Sequence, residues 1–360
     1  MDEKQPLTTS GFFYGVIEGF YGHQWSWSAR AHYAAFLSEL GYDCYIYAPK
    51  GDPFLRSRWR EDYPEDEWIK LLELVDVYHR SSVRFGVGLS PVGLNTGYSS
   101  TDRNDLLKKI DALNELNIDI LCILFDDVEG NHAGLANDQS AIINDIVSAS
   151  SARHFAVCPT YYSFDPVLET VFGEMPPHYL EDLGNYVPAS VDIFWTGNKV
   201  ISTEYTRQDM EEVSQLLGRK PLLWDNYPVN DGRLTSNFLN LRPYLGRPVE
   251  LRNCCSGHIV NPMNQPFLSK IPLQSLAEIY QPGTESKIEF GAMERLGNSA
   301  FSTRLQHDID SFQDRGVTGL SVGEKNSLID IYRDFNNPAA DEICEWLQGY
   351  YQFDPECLTS

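Results

Sequence analysis

Eight short apolar runs, separated by segments of helical spacing, constrain this chain more than any other feature. The runs fall at 12–17, 42–47, 83–89, 118–125, 154–158, 191–195, 221–224 and 256–260. Each is rich in β-branched or aromatic residues, as strands buried on both faces of a parallel sheet are. Between them, 28–40, 64–80, 101–116, 135–151 and 203–217 repeat apolar residues at helical spacing. Ser28 and Thr101 are the expected N-caps, whose hydroxyls accept from first-turn amides. Gly41 suits the left-handed position that ends a helix. Eight strands alternating with helices predict an α/β chain folded as a (β/α)8 TIM barrel. A doubly wound open sheet is the alternative, but no G-x-G-x-x-G follows the first run. The seventh helix is weak, since 241–249 carries Pro243, Gly246 and Pro248. Beyond Gln281 the pattern turns mainly helical, best at 302–315 and 340–350. The expected organisation is a barrel over 11–285 and a short helical extension over 286–360.

Charge narrows the partners. With 28 basic and 51 acidic side chains among 360 residues, the net charge is −23. No basic surplus exists to release phosphate counterions, so nucleic acid is not an expected partner. Charge-driven binding to an anionic membrane is disfavoured for the same reason. No stretch approaches the ~20 apolar residues needed to span a bilayer. The first ten residues lack the apolar centre of a secretory signal, so a cytoplasmic location is expected. Seven cysteines, an odd number without zinc-like spacing, fit free thiols in a core. The eight histidines form no H-E-x-x-H, and no G-x-S-x-G elbow is present. Neither a metal nor another cofactor is expected.

In such a barrel the active site lies at the C-terminal ends of the strands. Those ends read Glu18-Gly19-Phe20-Tyr21-Gly22, Ala48-Pro49-Lys50-Gly51-Asp52, Ser90-Pro91, Asp126-Asp127, Pro159-Thr160-Tyr161-Tyr162, Thr196-Gly197, Asp225-Asn226 with Asp231, and Asn261-Pro262. Carboxylates, amides, one lysine and several aromatic rings converge on one face. That set suits a sugar, whose C–H surfaces stack on rings while its hydroxyls meet polar groups. Asp126-Asp127 is its centre. Two adjacent carboxylates in a partly buried site cannot both ionise freely, so one pKa rises and supplies an acid near neutral pH. A solvated turn is the plain reading of an isolated Asp-Asp pair, and a Mg²⁺ site is a third. Its place at the end of a buried fourth strand favours chemistry. Neighbours on one strand end approach a sugar from the same side, so the nucleophile must come from elsewhere. A substrate acetamido group is the known exception of that kind.

The motifs GVIEGFYG (15–22), YAPKGD (47–52), LFDD (124–127), PTYY (159–162), FWTG (194–197), WDN (224–226) with Asp231, and VNP (260–262) occur in this order. Together they resemble the catalytic domain of glycoside hydrolase family 84, the O-GlcNAcases and related β-N-acetylglucosaminidases. The resemblance spans about 11–280. It implies a retaining, exo-acting hydrolase of terminal β-linked GlcNAc on a glycoprotein, glycan or glycoside, working through an oxazoline. The alternatives are a β-N-acetylgalactosaminidase or other 2-acetamido glycosidase of the same mechanism, or a non-catalytic sugar-binding barrel. By that resemblance Asp126 would hold the acetamido N–H, and Asp127 would be general acid and then base. Tyr162 would orient the acetamido oxygen, Trp224 would wall the acetyl pocket, and Asn226 would hydrogen-bond near the reacting centre. Gly15 (through its backbone), Lys50, Asp231 and Asn261 would bind sugar hydroxyls, with Asn264 a competitor for the role of Asn261. Glu18 and Asp225 are expected to be structural partners rather than site residues. The sequence departs from the family pattern at Ser90-Pro91-Val92-Gly93, and at Tyr161, where many members carry glutamate.

Overall fold

The computed structural model describes residues 11–94, 97–281 and 296–351, together with 353, 355 and 357. Eight parallel strands close into a barrel in chain order. They are β1 (Phe13–Glu18), β2 (Cys44–Tyr47), β3 (Arg84–Leu89), β4 (Ile120–Leu124), β5 (His154–Cys158), β6 (Val191–Trp195), β7 (Leu222–Asp225) and β8 (Gly257–Val260). Closure is direct: β8 pairs with β1 in the register Phe13↔Gly257 to Val16↔Val260. Every expected strand is present to within two residues at either end. Their near-continuous burial explains why apolar runs rather than alternation marked them.

The outer layer holds α1 (Trp27–Glu39), α2 (Glu65–Arg80), α3 (Ser100–Asn114), α4 (Leu135–Ala149), α5 (Val167–Phe172), α6 (Tyr179–Tyr186), α7 (Arg207–Leu217), α8 (Leu251–Cys254) and α9 (Pro266–Tyr280). Two N-caps differ from expectation. Ser26, not Ser28, accepts from the Ala29 amide, and Ser99, not Thr101, closes a capping box with Asp102. A cap precedes the apolar periodicity, so reading from the periodicity places it late. Gly41 does end α1, at φ +65°. No helix forms over 241–249, where proline and glycine interrupt the amide ladder, and α8 is a single short turn. The α5–α6 pair was not foreseen.

Beyond the barrel lie α10 (Ser299–Asp310), a wide turn at Ser311–Arg315 that continues it, α11 (Val322–Arg333) and α12 (Pro338–Leu347). They share an apolar cluster with Leu239, Leu241, Met263, Leu268 and Ile271 of the barrel's last two units. Glu342 of α12 accepts from the Phe267 and Leu268 amides, capping the start of α9. The expected boundary at 285/286 lies outside the described residues. Cys44, Cys122, Cys158, Cys254, Cys255 and Cys344 are free thiols. Among the described residues no helix is long and apolar enough to cross a membrane.

Candidate active site

The strand ends surround an open cavity with about 490 Å³ of empty space, its mouth included. β4 delivers the aspartate pair to it. Phe125 continues the ladder by donating to the Cys158 carbonyl at 2.9 Å, and accepts from the Thr160 hydroxyl at 3.0 Å. The backbone then turns abruptly, with Asp127 at φ +63°. A left-handed aspartate is uncommon and persists where its surroundings hold it. Here the turn brings both carboxylates to one cation. Lys50, from the end of β2, is ion-paired with Asp126, and its Nζ lies 3.7 Å from Asp127 Oδ2. The three side chains are only 3%, 8% and 7% exposed respectively.

One lysine therefore serves two buried carboxylates. Burial raises the pKa of Asp127 above the usual carboxylate range; Lys50 opposes this and the charge on Asp126 adds to it. Lys50 itself stays charged, since the two aspartates outweigh a burial that alone would lower its pKa. Tyr21 donates to Asp127 Oδ2 at 2.6 Å. Asp126 Oδ1 is buried and, among the described residues, has no hydrogen-bond partner. A buried acceptor left unmet is costly, so this oxygen is the clearest mark of a missing N–H or O–H donor.

The opposite wall comes from β7 and β8. Trp224 Nε1 donates to Asn226 Oδ1 at 2.9 Å, and Asn261 Nδ2 donates to the same oxygen at 3.1 Å. Asn226 Nδ2 is tied to the Val200 carbonyl and Asn261 Oδ1 to the Gly19 amide. Each amide nitrogen thus keeps one N–H for a ligand. Asp231 is buried and accepts from the Tyr21 amide at 2.8 Å. Burial pushes its pKa up to about 6, with that amide opposing and the charge of Asp127 adding. Tyr162 lines the cavity beside Cys158 and Thr196.

The cavity thus gathers eight of the nine residues singled out above: Lys50, Asp126, Asp127, Tyr162, Trp224, Asn226, Asp231 and Asn261. The ninth, Gly15, is a correction. It lies within β1, where an added Cβ would meet Cys44 Sγ at 2.3 Å and the Cys44 carbonyl at 2.7 Å. Barrel packing, not a ligand, requires that glycine. Gly19, the second glycine of the same motif, lines the cavity instead, and a Cβ there would meet Trp224 at 2.5 Å. Asn264 does not compete with Asn261: its side chain holds the Tyr21 and His23 carbonyls. Glu18 is consumed by Arg30 and Tyr45, and Asp225 by Arg247 and His258. Tyr161 points its hydroxyl at the Gly173 and Glu174 carbonyls. Sequence reasoning missed Tyr21, Cys158, Thr196, Val200 and Val229 as lining residues. Of these, only Tyr21 and Thr196, inside the GVIEGFYG and FWTG motifs, carried a signal. Among the described residues no three His, Cys, Asp or Glu side chains are grouped to hold a metal.

Comparison with known proteins agrees with this geometry. The family model for beta-N-acetylglucosaminidase matches residues 14–307. The chain belongs to that family. Protein O-GlcNAcase of Rattus norvegicus and of Mus musculus are each 31% identical over 280 residues, covering 75% of this chain. The chain spans 30% of the length of either. A mutant of the Thermobaculum terrenum O-GlcNAc hydrolase superposes with a TM-score of 0.75 at 29% identity, over 94% of this chain and 81% of that one. CpGH84B superposes with a TM-score of 0.74 at 25% identity, over 95% of this chain and 67% of its own. As a beta-N-acetylglucosaminidase family barrel, the chain carries its aspartate pair at the end of the fourth strand, where the family's motif order had put it.

Proposed function

We propose that this chain is a retaining exo-β-N-acetylglucosaminidase that uses the acetamido group of its substrate as nucleophile. The observation that carries this reading is the buried Asp126 Oδ1, without a hydrogen-bond partner among the described residues, beside an Asp127 of raised pKa. Asp126 Oδ1 accepts the acetamido N–H, which increases electron density on the carbonyl oxygen. That oxygen, oriented by Tyr162 against the wall of Trp224, attacks the anomeric carbon. Asp127 gives its proton to the departing oxygen as the glycosidic bond breaks, leaving an oxazolinium ion whose N–H stays hydrogen-bonded to Asp126. Water then donates a proton to Asp127 and adds to the anomeric carbon, which returns the acetamide. Tyr21 and Lys50 hold the Asp127 carboxylate during that second half. Asp231, Asn226 and Asn261 bind sugar hydroxyls and the ring environment.

The substrate class is a terminal β-linked GlcNAc on a protein, glycan or glycoside, consistent with relatives named Protein O-GlcNAcase and O-GlcNAc hydrolase. We further propose a cytoplasmic location, supported by the free thiols of Cys44, Cys122, Cys158, Cys254, Cys255 and Cys344. Residues 11–285 form the catalytic unit and 286–360 its helical extension. Turnover of nitrophenyl β-N-acetylglucosaminide tests the reading, with the galactosamine epimer as comparator. Faster hydrolysis of the gluco substrate is expected. Faster hydrolysis of the epimer would reassign the sugar, and binding without turnover would leave a sugar-binding barrel.

A further inference from the structure

Asp127 is faced by charged and titratable groups from five strand ends. Tyr21 stands on the β1 loop, Lys50 and Arg56 on the β2 loop, Asp126 after β4, Cys158 on β5 and Asp231 after β7. Lys50 is shared with Asp126 and lies 3.7 Å away, so the short contact to Asp127 is the 2.6 Å bond from the Tyr21 hydroxyl. That hydroxyl in turn accepts from Arg56 Nη2 at 3.1 Å, and the guanidinium sits 5.3 Å from the centre of the Tyr21 ring. Burial and the charge on Asp127 keep the Tyr21 phenol protonated far above neutral pH, so it remains a donor. A donor that itself receives a charged hydrogen bond is polarised toward its acceptor.

Resting on the reading of Asp127 as general acid and base, we infer that Arg56 is a positioning residue that acts through the Tyr21 hydroxyl on Asp127 Oδ2. Half-buried Arg56 lines none of the cavity. The relay fixes the Asp127 carboxyl in its left-handed turn and reserves Oδ1 for proton transfer. It also stabilises the anion that forms when the proton leaves. Without the relay, Asp127 would release its proton less readily and would rotate more freely.

The test is the pH profile of kcat/KM, which reports the ionisations of the free enzyme. Its alkaline limb marks loss of the Asp127 proton. Losing a hydrogen bond to a charged group shifts such a limb by about one to two pH units, so Tyr21→Phe should move it upward by that much. Arg56→Met, one bond further away, should move it upward by about half a unit, and Arg56→Lys should restore part of the shift. In the Tyr21→Phe background the Arg56→Met shift should fall to half or less, since coupled residues are not additive. An unmoved limb in Arg56→Met, or more than half of its shift surviving in the double variant, overturns the relay. Thermal unfolding of each variant, with Arg56→Lys as the conservative replacement, separates misfolding from mispositioning. Asp127→Asn on a nitrophenyl glycoside tests the assumption beneath: its profile should lose the alkaline limb. Persistence of that limb would overturn the assignment of Asp127, and the relay with it. Loss of the limb together with an unmoved Arg56→Met profile would overturn the relay alone.

Discussion

Two buried aspartate centres stand at strand ends of the same barrel and are built to opposite purposes. Asp225, at the end of β7, receives both guanidinium arms of Arg247 at 2.8–2.9 Å, His258 Nε2 at 3.0 Å and the Tyr227 amide at 3.0 Å. Burial alone would raise its pKa, but Arg247 and His258 hold it far below the usual carboxylate range. Asp126 and Asp127, after β4, divide one lysine between them, and among the described residues one oxygen is left without a partner. A carboxylate whose acceptors are filled by fixed donors holds loops together. A pair short of cations and donors is ready to take up a ligand's N–H and to exchange a proton. The difference lies in partner count, not in burial.

The widest separation between the centres should appear with Asp127→Ala. On alkyl glycosides, whose leaving oxygen needs a proton, kcat/KM should fall about 10²- to 10⁴-fold. Nitrophenyl glycosides should retain more activity. Asp126→Ala should hurt both substrate types alike, because in the proposed mechanism Asp126 acts on the acetamido group. Leaving-group dependence in Asp126→Ala instead would reverse the two assignments.

Asp225→Ala should act on stability. It strands a buried guanidinium, a change that costs about 3–5 kcal/mol, measured by chemical denaturation. Because its folded pKa is depressed, the stabilisation from Asp225 is complete above the ordinary carboxylate range and drains away as pH falls below about 4. The leaving-group dependence of the folded enzyme should not change. Should Asp225→Ala stay fully stable yet acquire that dependence, the contrast would collapse.

Asp231 is intermediate: amides donate to it, and the charge of Lys50 acts on it more weakly than burial does. Asp231→Asn removes charge-assisted hydrogen bonds worth about 1.5–3 kcal/mol, so kcat/KM should drop roughly tenfold to a hundredfold. Wild-type KM should rise as pH falls through about 6, where Asp231 takes up its proton. The Asn variant should lack that rise. Equal pH dependence in both would remove Asp231 from sugar binding.

Glu342 extends the series to a buried carboxylate held by two amides. Burial pushes its pKa up to about 8, with the Phe267 and Leu268 amides opposing. A raised folded pKa means its contribution is full below about pH 4.3 and is lost as pH climbs through 8. Glu342→Gln should therefore flatten Tm against pH over that window. A wild-type Tm that already ignores pH there would refute this. The smallest expected effect is none: dialysis against a chelator should leave activity intact, whereas recovery with added Mg²⁺ or Zn²⁺ would bring back the metal reading.

The barrel was legible because parallel strands buried on both faces announce themselves as apolar runs, as 118–125 did for β4. α5 and α6 were not legible, because short helices inside a long connection lack a repeating stripe. The β8 unit hid its helix behind Pro266 and Pro272, although Pro266 sits at a first turn where proline is tolerated. In the site, Asp126-Asp127 and Lys50 could be read from their place at strand ends. Gly15 could not be told from Gly19, since only the depth of each within the barrel separates a packing glycine from a cavity-lining one. Sequence marked Asp225 as a structural partner but could not name what holds it, because Arg247 and His258 meet it from 22 and 33 residues away.

The account's central claim is that the substrate's own acetamido oxygen is the nucleophile, released to act by Asp126 and Asp127. Progressive fluorination of the acetyl methyl weakens that oxygen without touching the leaving group or the sugar hydroxyls. With nitrophenyl substrates bearing zero to three fluorines, log(kcat/KM) should fall steeply and steadily with each fluorine added. Rates that ignore fluorination would mean that the acetamido group does not attack, and the substrate-assisted account would be wrong.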